Sequence, residues 1–580
     1  VRPAESTRVD ASAAPAPEAD ALRADLAPLV GGRASSASAD RVAYSKDLWP
    51  RNVIAARAGR PAPTPPAVVV WPETTAEVAA VVRYAAARGV PVVPFGAGSG
   101  VCGGIAPTPA SIVLDVKRMR AITRIDDARL RVTAQTGILG QILEDRLAER
   151  GYTLGHFPSS IYCSTLGGWL AARSAGQCSG RYGKIEDMVR GLRFVDGAGV
   201  EHALDIDGAG ERDGRDLLPL VIGSEGILGV ITEATCRIAP APASRRFASY
   251  LFDETEQGLE AIRAIYQGGL RPAVARLYDP FDTLIARRSK KHAKTAGRVE
   301  GPPPARALEP GLGAAALTRA LRAPGALNAL VEALPGRALG GAMLVLVWED
   351  DAAIADAEAA EAAALCEARG GRDAGEGPAR RWLLHRHSVS YRQSPVVAMG
   401  AFVDTMEVAS TWDRLVPMYH AVLRALSPFV FVMAHFSHAY PDGGSIYFTF
   451  AGSARDDDEA LRKYDAAWAA ALRAVVDAGG TLSHHHGVGR SKAPAMRREQ
   501  GAAVDVVRRL KAVLDPAGIL NPGALIGADP PGSSGGTVSG GLPGAGGGVV
   551  TDGSAAGGGA AGTGSRGQVA SAAAAERRPG

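Results

Sequence analysis

The sequence predicts an α+β fold with two globular regions, one alternating strands and helices and one a sheet covered by helices, between tails that do not fold. Three observations carry this. At 580 residues the chain has room for two or three domains with sizeable cores. The excess among its 71 Gly and 38 Pro is largely terminal, in segments with little to bury. Between the ends, apolar strand-like runs and helix-period segments follow one another.

Residues 1–40, rich in Ala, Pro, Ser and charge, read as a flexible arm with one short helix around Ala19 to Val30. The first globular region spans 41–242, with its core at about 64–242. Within it Ala67 to Trp71 reads as a strand, Thr75 to Arg88 as a helix and Val90 to Pro94 as a strand. The second spans 243–480, with strands at Ala342 to Trp348 and Ser445 to Ala451 and helices at Ala352 to Arg369 and Asp456 to Ala478. A basic, Pro- and Gly-rich stretch at about 287–317 interrupts it as a mobile insertion. Residues 481–526 carry a histidine run and close the molecule, and 527–580 collapse to Gly, Ala, Ser and Thr, a disordered tail.

With 64 Lys+Arg against 60 Asp+Glu, the net charge of +4 is spread along the chain, which argues against a nucleic-acid binder. Cys102, Cys163, Cys178, Cys236 and Cys366 are scattered without a CxxC pair, so neither a disulfide framework nor a thiolate metal site is expected. A reducing cytoplasm fits that usage. No apolar run approaches the ~18 residues that span a bilayer, and the first 20 residues hold no signal-peptide core.

The chemistry begins at Pro94-Phe95-Gly96-Ala97-Gly98-Ser99-Gly100-Val101-Cys102-Gly103-Gly104, where Gly98, Gly100 and Gly103 form a GxGxxG. A Rossmann fingerprint needs a helix to start inside that motif, and Ile105-Ala106-Pro107-Thr108-Pro109 cannot start one. No Gly-Lys-Ser/Thr follows, so it is not a Walker loop. A loop whose backbone N–H groups approach a pyrophosphate without a helix dipole remains, beside the plainer reading of a surface turn. Two further turns favour the former: Gly155-His156-Phe157-Pro158-Ser159-Ser160, continuing through Ser164, Thr165 and Gly168, and Gly223-Ser224-Glu225-Gly226, continuing through Gly229, Val230 and Ile231 into a strand.

With these three ordered motifs the chain resembles the vanillyl-alcohol oxidase superfamily of PCMH-type FAD-binding proteins. That resemblance implies an FAD-binding domain over 41–242 with an α/β cap over 243–480. It places cofactor contacts in the three turns and at Gly176, Tyr182 and Gly183. Covalent relatives often carry a His in the first loop; Val101 and Cys102 stand there, so noncovalent FAD is expected.

A narrower resemblance, from about Tyr44 to Pro522, is to the alkylglycerone-phosphate synthase family. It rests on Tyr44-Ser45-Lys46-Asp47-Leu48-Trp49-Pro50, Arg173, Tyr182-Gly183-Lys184-Ile185-Glu186-Asp187, Arg276-Leu277, Glu407, Trp412-Asp413-Arg414, Ile446-Tyr447-Phe448 and Leu482-Ser483-His484-His485-His486-Gly487-Val488-Gly489. Such enzymes exchange the acyl chain of acyl-dihydroxyacetone phosphate for a long-chain alcohol without net redox change. The resemblance implies Tyr447 as the active-site tyrosine, a base if cations lower its pKa. It also implies His484, His485 and His486 as proton-handling groups. On an extended stretch His485 and His486 divide between substrate and flavin sides, and His484 or one of the pair is structural. Arg276 and Arg392 fit the cap arginines that grip phosphate, although the chain is one residue longer between Arg392 and Glu407 than the family pattern.

One departure is Met433-Ala434-His435-Phe436-Ser437-His438, which adds two histidines. Related D-2-hydroxyacid dehydrogenases hold a metal near this stretch, but no carboxylate ligand accompanies the histidines, so His435 and His438 are weak metal candidates and no metal is expected. The leading expectation is synthase chemistry on a small lipid phosphate. Its rivals are dehydrogenation of a D-2-hydroxy acid and a flavin-binding protein without catalysis. A cytoplasmic homodimer with peripheral membrane contact is expected, since the final Arg578-Pro579-Gly580 is not a peroxisomal signal.

Overall fold

The computed structural model describes residues 17–59, 64–206, 217–288, 318–387, 397 and 400–527. The predicted insertion from residue 289 onward, the tail beyond 527 and Arg392 lie outside them.

The first sheet joins β1 (Ala34–Ser35), β2 (Val68–Val70), β3 (Val92–Phe95) and β4 (Ile112–Asp115) in the order β1-β2-β4-β3. β4 runs parallel to both β2 and β3, and β1 is antiparallel on β2. Parallel strands covered on both faces need continuous apolar runs, and Val68-Val69-Val70 and Ile112-Val113-Leu114 are wholly buried. The helix Thr75–Arg88 lies against this sheet through Val78, Val81, Val82 and Ala85. Thr74 caps its start by accepting the Glu77 N–H, and Gly89 ends it at φ +64°.

The short helix expected around Ala19 to Val30 is present, while residues 17–35 as a whole pack into the core and are not a flexible arm. Pro17–Leu26 is helical, Ala27–Val30 is a 3-10 turn, and Ala19, Leu26 and Val30 enter the same core. Apolar residues at helical spacing, Ala19, Leu22 and Leu26, outweigh the polar composition around them.

A second sheet takes β5 (Ile122–Asp126) and β6 (Arg131–Gln135), passes the short β7 (Tyr152–Thr153), and adds β8 (Val189–Val195), β9 (Glu201–Leu204) and β10 (Val230–Arg237). Its order is β5-β6-β10-β8-β9, all antiparallel, while β7 pairs with β11 (Ala239–Pro240).

The third sheet contains β12 (Ser244–Phe252), β13 (Val274–Tyr278), β14 (Ala342–Asp350), β15 (Arg372–Asp373), β16 (Phe402–Thr411), β17 (Phe431–Ala439) and β18 (Gly443–Gly452), in the order β15-β12-β14-β13-β17-β18-β16. One face packs Leu277, Leu344, Leu346, Val408, Ile446 and Phe448 with the helices Thr255–Gln267, Trp412–Leu426 and Asp457–Asp477. The opposite face, through Val274, Met343, Val345 and Val347, shares a core with Leu192 and Ile231 of the second sheet. Strand alternation therefore sends every second residue of the cap toward the first region.

The C-terminal segment crosses from one sheet to another. Thr481 bridges Ala409 on β16, and Leu520 bridges Val92 on β3. Among the described residues no helix is long and apolar enough to cross a membrane.

Candidate active site

Strand register assembles the site. Glu407 on β16 lies opposite Tyr447 on β18, Tyr447 opposite His435 on β17, and His435 opposite Tyr278 on β13. Directly paired residues share a face, so these four form a transverse row on the side of the cap that faces the first region. Arg276, two residues before Tyr278, joins it with its guanidinium 5.1 Å from the Tyr278 ring centre. The Nε of Arg276 is buried without a hydrogen-bond partner. A register shift between Phe436 and His438 brings His438 opposite Ser445 and onto this face as well.

The histidine run bends over the row rather than running extended. Glu407, fully buried, accepts the backbone N–H of His484 at 2.8 Å on one oxygen and that of His486 at 3.2 Å on the other. Its Oε1 lies 3.3 Å from His485 Nδ1, and the fully buried Lys492 places Nζ 3.9 Å from Oε2. His485 Nε2 meets the Tyr447 hydroxyl in a short hydrogen bond. His484 Nδ1 and His485 Nδ1 are 2.9 Å apart. The rings of His485 and His486 both approach Tyr447, with centroids at 5.4 and 5.2 Å. The bend thus turns both of these rings toward Tyr447.

Electrostatics sharpen the roles. Burial, then the Glu407 charge, push the Tyr447 phenol well above its ordinary value, and Arg276 only partly opposes them. Tyr447 thus rests as a phenol, against the lowered pKa that a resting tyrosinate requires. Burial pushes Glu407 up, but the His485 ring with its hydrogen bond and then the Lys492 charge prevail and hold it well below the usual carboxylate range. His484 and His486 are brought down to about 3 by burial and then by His485, so both are neutral.

His435 stacks on Tyr447 at 4.9 Å and 13°, with Asp282 3.2 Å from its Nδ1. His438 Nδ1 pairs with Ser179 Oγ at 2.9 Å. The two therefore have separate partners. The described residues whose ligand atoms cluster within 4.8 Å are instead Glu407, His484 and His485. The sequence offered no carboxylate beside the histidines; β16 supplies it.

The first glycine loop follows β3 and no helix begins within it, in line with the rejection of a Rossmann reading. A Cβ on Gly96 would lie 2.5 Å from Thr165 Oγ1, and Gly98 has φ +68° with its Cβ position 2.8 Å from the Phe95 ring. Gly489 packs so closely that its Cβ would stand 2.1 Å from Cys102 O. The buried polar atoms near these turns that lack partners include Nη1 of Arg490, whose backbone N–H donates to Cys102 O, Nδ1 of His156, Oγ of Ser224 and Oδ2 of Asp47. A close-approach loop beside an unpaired guanidinium nitrogen fits a pyrophosphate.

Other predicted cofactor residues have local duties. Pro94 and Phe95 end β3 before Ala97 and Ser99. Pro158, Ser159 and Ser160 lead into a 3-10 turn, and the Ser164 hydroxyl accepts Trp169 Nε1–H at 2.8 Å. Thr165 caps the helix Leu166–Ala172 by accepting the Gly168 N–H. Gly176 lies against the backbone of His156 and Phe157, and Gly183 and Gly226 have φ +82° and +77°. Gly229 precedes Val230 and Ile231 at the start of β10. Tyr182 and Glu225 also have protein partners: the Tyr182 hydroxyl donates to Glu349 of the cap at 3.0 Å, and Glu225 binds the backbone of the C-terminal segment. His156 is fully buried against Trp169, its Nε2 3.2 Å from Ser174 Oγ.

Residues 66–205 match a family model described as "FAD binding domain", and 241–525 match "FAD linked oxidases, C-terminal domain". The chain is an FAD-dependent enzyme of the PCMH-type superfamily. This flavoenzyme is 28% identical over 480 residues to an alkyldihydroxyacetonephosphate synthase of Trypanosoma brucei brucei, covering 80% of this chain and 74% of that one. It is 27% identical over 499 residues to glycolate oxidase subunit GlcD of Bacillus subtilis, covering 85% and 93%. A solved alkyldihydroxyacetonephosphate synthase superposes on the flavoenzyme with a TM-score of 0.67 at 24% identity, over 89% of this chain and 86% of that one. Sequence reading missed three neighbours of the site, the buried Lys492 and the half-buried Asp282 and Arg490. Arg490 and Lys492 follow the histidine run directly, the one signal that marked them.

Proposed function

We infer that this flavoenzyme exchanges the acyl group of acyl-dihydroxyacetone phosphate for a long-chain alcohol. The observation that carries the reading is the Tyr447–His485 hydrogen bond set beside Arg276, whose buried Nε has no protein partner. FAD, when bound, supplies an electron sink next to the reacting carbon. The loop Gly96 to Gly100, with Arg490, holds its pyrophosphate. Noncovalent attachment is the form proposed: Cys102 in that loop is buried and its thiol is pushed up to about 12 by desolvation, which disfavours a nucleophilic thiolate there.

Arg276 binds the substrate phosphate as a guanidinium and thereby orients the carbon that bears the acyl oxygen. Tyr447 takes the C–H proton on its hydroxyl oxygen as its own proton passes to His485 Nε2, so no free tyrosinate forms. The carboxylate leaves and the alcohol oxygen bonds to that carbon, the alcohol's proton departing with the carboxylate as fatty acid; the imidazolium of His485 then returns its proton to the Tyr447 oxygen as Tyr447 returns the C–H proton to the carbon, and the neighbouring His484 and His486 stay neutral. Purified protein supplied with acyl-dihydroxyacetone phosphate and a long-chain alcohol is expected to release a fatty acid and form the ether; release of neither product would overturn the assignment.

A second reading, oxidation of a D-2-hydroxy acid, draws on the likeness to GlcD and on the histidines at 435 and 438 beside Arg276. An imidazole base and an arginine clamp for a carboxylate are the groups such a substrate needs.

A further inference from the structure

We propose that Glu407 is a positioning residue that fixes His485 as the Nδ1–H tautomer, leaving Nε2 free to accept the Tyr447 proton. The proposal rests on the proton-transfer role given to Tyr447 and His485 above, and it adds a third member to that pair.

The argument begins with register. β16 and β18 place Glu407 directly beside Tyr447, so the carboxylate and the phenol approach the histidine run from neighbouring strands. The carboxylate then takes the N–H groups of His484 and His486, one on each oxygen, which pins the backbone on both sides of His485. What remains for the intervening imidazole is set by its two nitrogens. Nδ1 faces Glu407 Oε1 at 3.3 Å and His484 Nδ1 at 2.9 Å, and Nε2 faces the Tyr447 hydroxyl.

For the Tyr447 hydroxyl to give its proton to His485 in the proposed transfer, Nε2 must be the bare nitrogen and Nδ1 must carry the hydrogen. An anionic oxygen at Nδ1 selects that tautomer, whereas the opposite one would turn a lone pair toward a carboxylate. Glu407 is fully buried, accepts two main-chain N–H groups and has the Lys492 ammonium 3.9 Å away, so as a carboxylate it orients the ring and offsets the charge of the imidazolium without taking the proton. The proton moves from Tyr447 Oη to His485 Nε2 and back, and Glu407 ends each cycle as it began. The logic matches that of a buried acid behind a catalytic histidine in acyl-transfer enzymes, with a phenol in place of the alcohol.

A plain structural brace for the bend would also place a carboxylate here, so the test must read the ring. In the FAD-loaded protein labelled with 15N-histidine, the resonances of His485, assigned by their loss in His485→Gln, are expected to show a protonated Nδ1 and an unprotonated Nε2. In Glu407→Gln, which keeps the side chain's shape, the tautomers are expected to mix and turnover to fall at least ~100-fold, with partial recovery in Glu407→Asp. A protonated Nε2 in the parent overturns the proposal even if no variant folds, because that reading needs only the parent. So does a Glu407→Gln protein that keeps both the tautomer and the rate. Stoichiometric zinc whose removal by a chelator alters the His485 resonances also overturns it, since Nδ1 would then be a ligand and not a donor. If the parent shows the expected tautomer but makes no ether, the reaction assignment fails and the role of Glu407 stands.

Discussion

The Glu225 carboxylate accepts the backbone N–H of Gly489 at 2.8 Å and that of Val488 alongside it. The third glycine turn of the FAD-binding region thereby holds the end of the histidine run, and Gly487 lies so near that its Cβ would meet Glu225 Oε1 at 2.9 Å. Glu225 itself sits at φ +50°, a conformation that non-glycine residues adopt at a cost.

Glu225→Ala should therefore undock the C-terminal segment. It leaves two main-chain N–H groups unpaired, at about 1–3 kcal/mol each. Urea melts are expected to show a lower midpoint, with faster proteolysis between residues 481 and 526. Unchanged melting and proteolysis would mean that packing alone holds the segment.

Glu144 predicts a pH effect. Its Oε1 accepts the N–H groups of Leu154 and Gly155, and its Oε2 the Thr153 hydroxyl, at the entrance to the second turn. Burial pushes its carboxyl up to about 7 against those hydrogen bonds. The folded state then keeps a proton that the unfolded chain has already lost, so the contribution to stability falls as pH rises from about 4.5 to about 7. Glu144→Gln keeps one oxygen for the two main-chain N–H groups, makes the other site a donor to the Thr153 oxygen, and removes the titration. Its melting temperature should match the parent at pH 4 and exceed it at pH 8, with a gap on the order of 1–3 kcal/mol. Parallel curves across that range would show that Glu144 is ionised in the folded protein.

The first loop yields a graded pair. Gly98 combines φ +68° with a ring 2.8 Å from its Cβ position, whereas the Cβ of Gly100 would meet only Asp47 Oδ2 at 3.5 Å, and its φ is not in the left-handed region. The need for positive φ thus applies to Gly98 alone. Gly98→Val should lose both FAD and thermal stability, and Gly100→Val should lose FAD with the fold retained. Full flavin occupancy in both variants, read from the visible spectrum after gel filtration, would remove the loop from the cradle.

Sequence legibility divided along the range of the interactions. The helix Thr75–Arg88 carries its own cap at Thr74 and its own stop at Gly89, so its bounds are local facts. The helix Ala352–Glu367 and the strand β18 were likewise visible in their own residues. The pairing of Glu407 with the histidine run depends on two strands and a bend far apart in the chain, and no local pattern encodes it. The shift between Phe436 and His438 decides which face His438 takes, and a period-2 reading has no means to find it. Tyr447 was found by its motif, but its protonation state depends on burial that only the assembled cap supplies.

Tyr447→Phe keeps the ring that stacks on His435 and removes the hydroxyl bonded to His485. FAD content should stay at the parent level, because the ring's neighbours in the row are preserved. Turnover should fall at least ~100-fold, the lower end of what a positioned proton-transfer group contributes. His485→Ala is expected to behave the same way, and the double variant to lose little beyond either single one, since the two act as one unit. A Tyr447→Phe protein with the parent rate would return the residue to a packing role.

The two enzyme readings separate on electrons. An acyl-for-alkoxy exchange leaves the flavin oxidised after each cycle, so anaerobic addition of acyl-dihydroxyacetone phosphate with a long-chain alcohol should form ether over many turnovers without lasting loss of the oxidised-flavin absorbance. Oxidation of a D-2-hydroxy acid moves two electrons onto the cofactor, and without an acceptor it stops after one equivalent. The first outcome is expected because the Tyr447–His485 hydrogen bond suits a proton that is given and returned between fixed atoms, and Arg276 offers a guanidinium suited to a phosphate. The same experiment on Arg276→Lys checks the substrate end: the point charge is kept and the planar fork is lost, so KM for the phosphate substrate should rise several-fold while the flavin spectrum stays unchanged. Stoichiometric bleaching by a D-2-hydroxy acid, with no ether formed from the lipid pair, would transfer the proton-handling groups to dehydrogenation and leave the FAD-binding architecture as it stands.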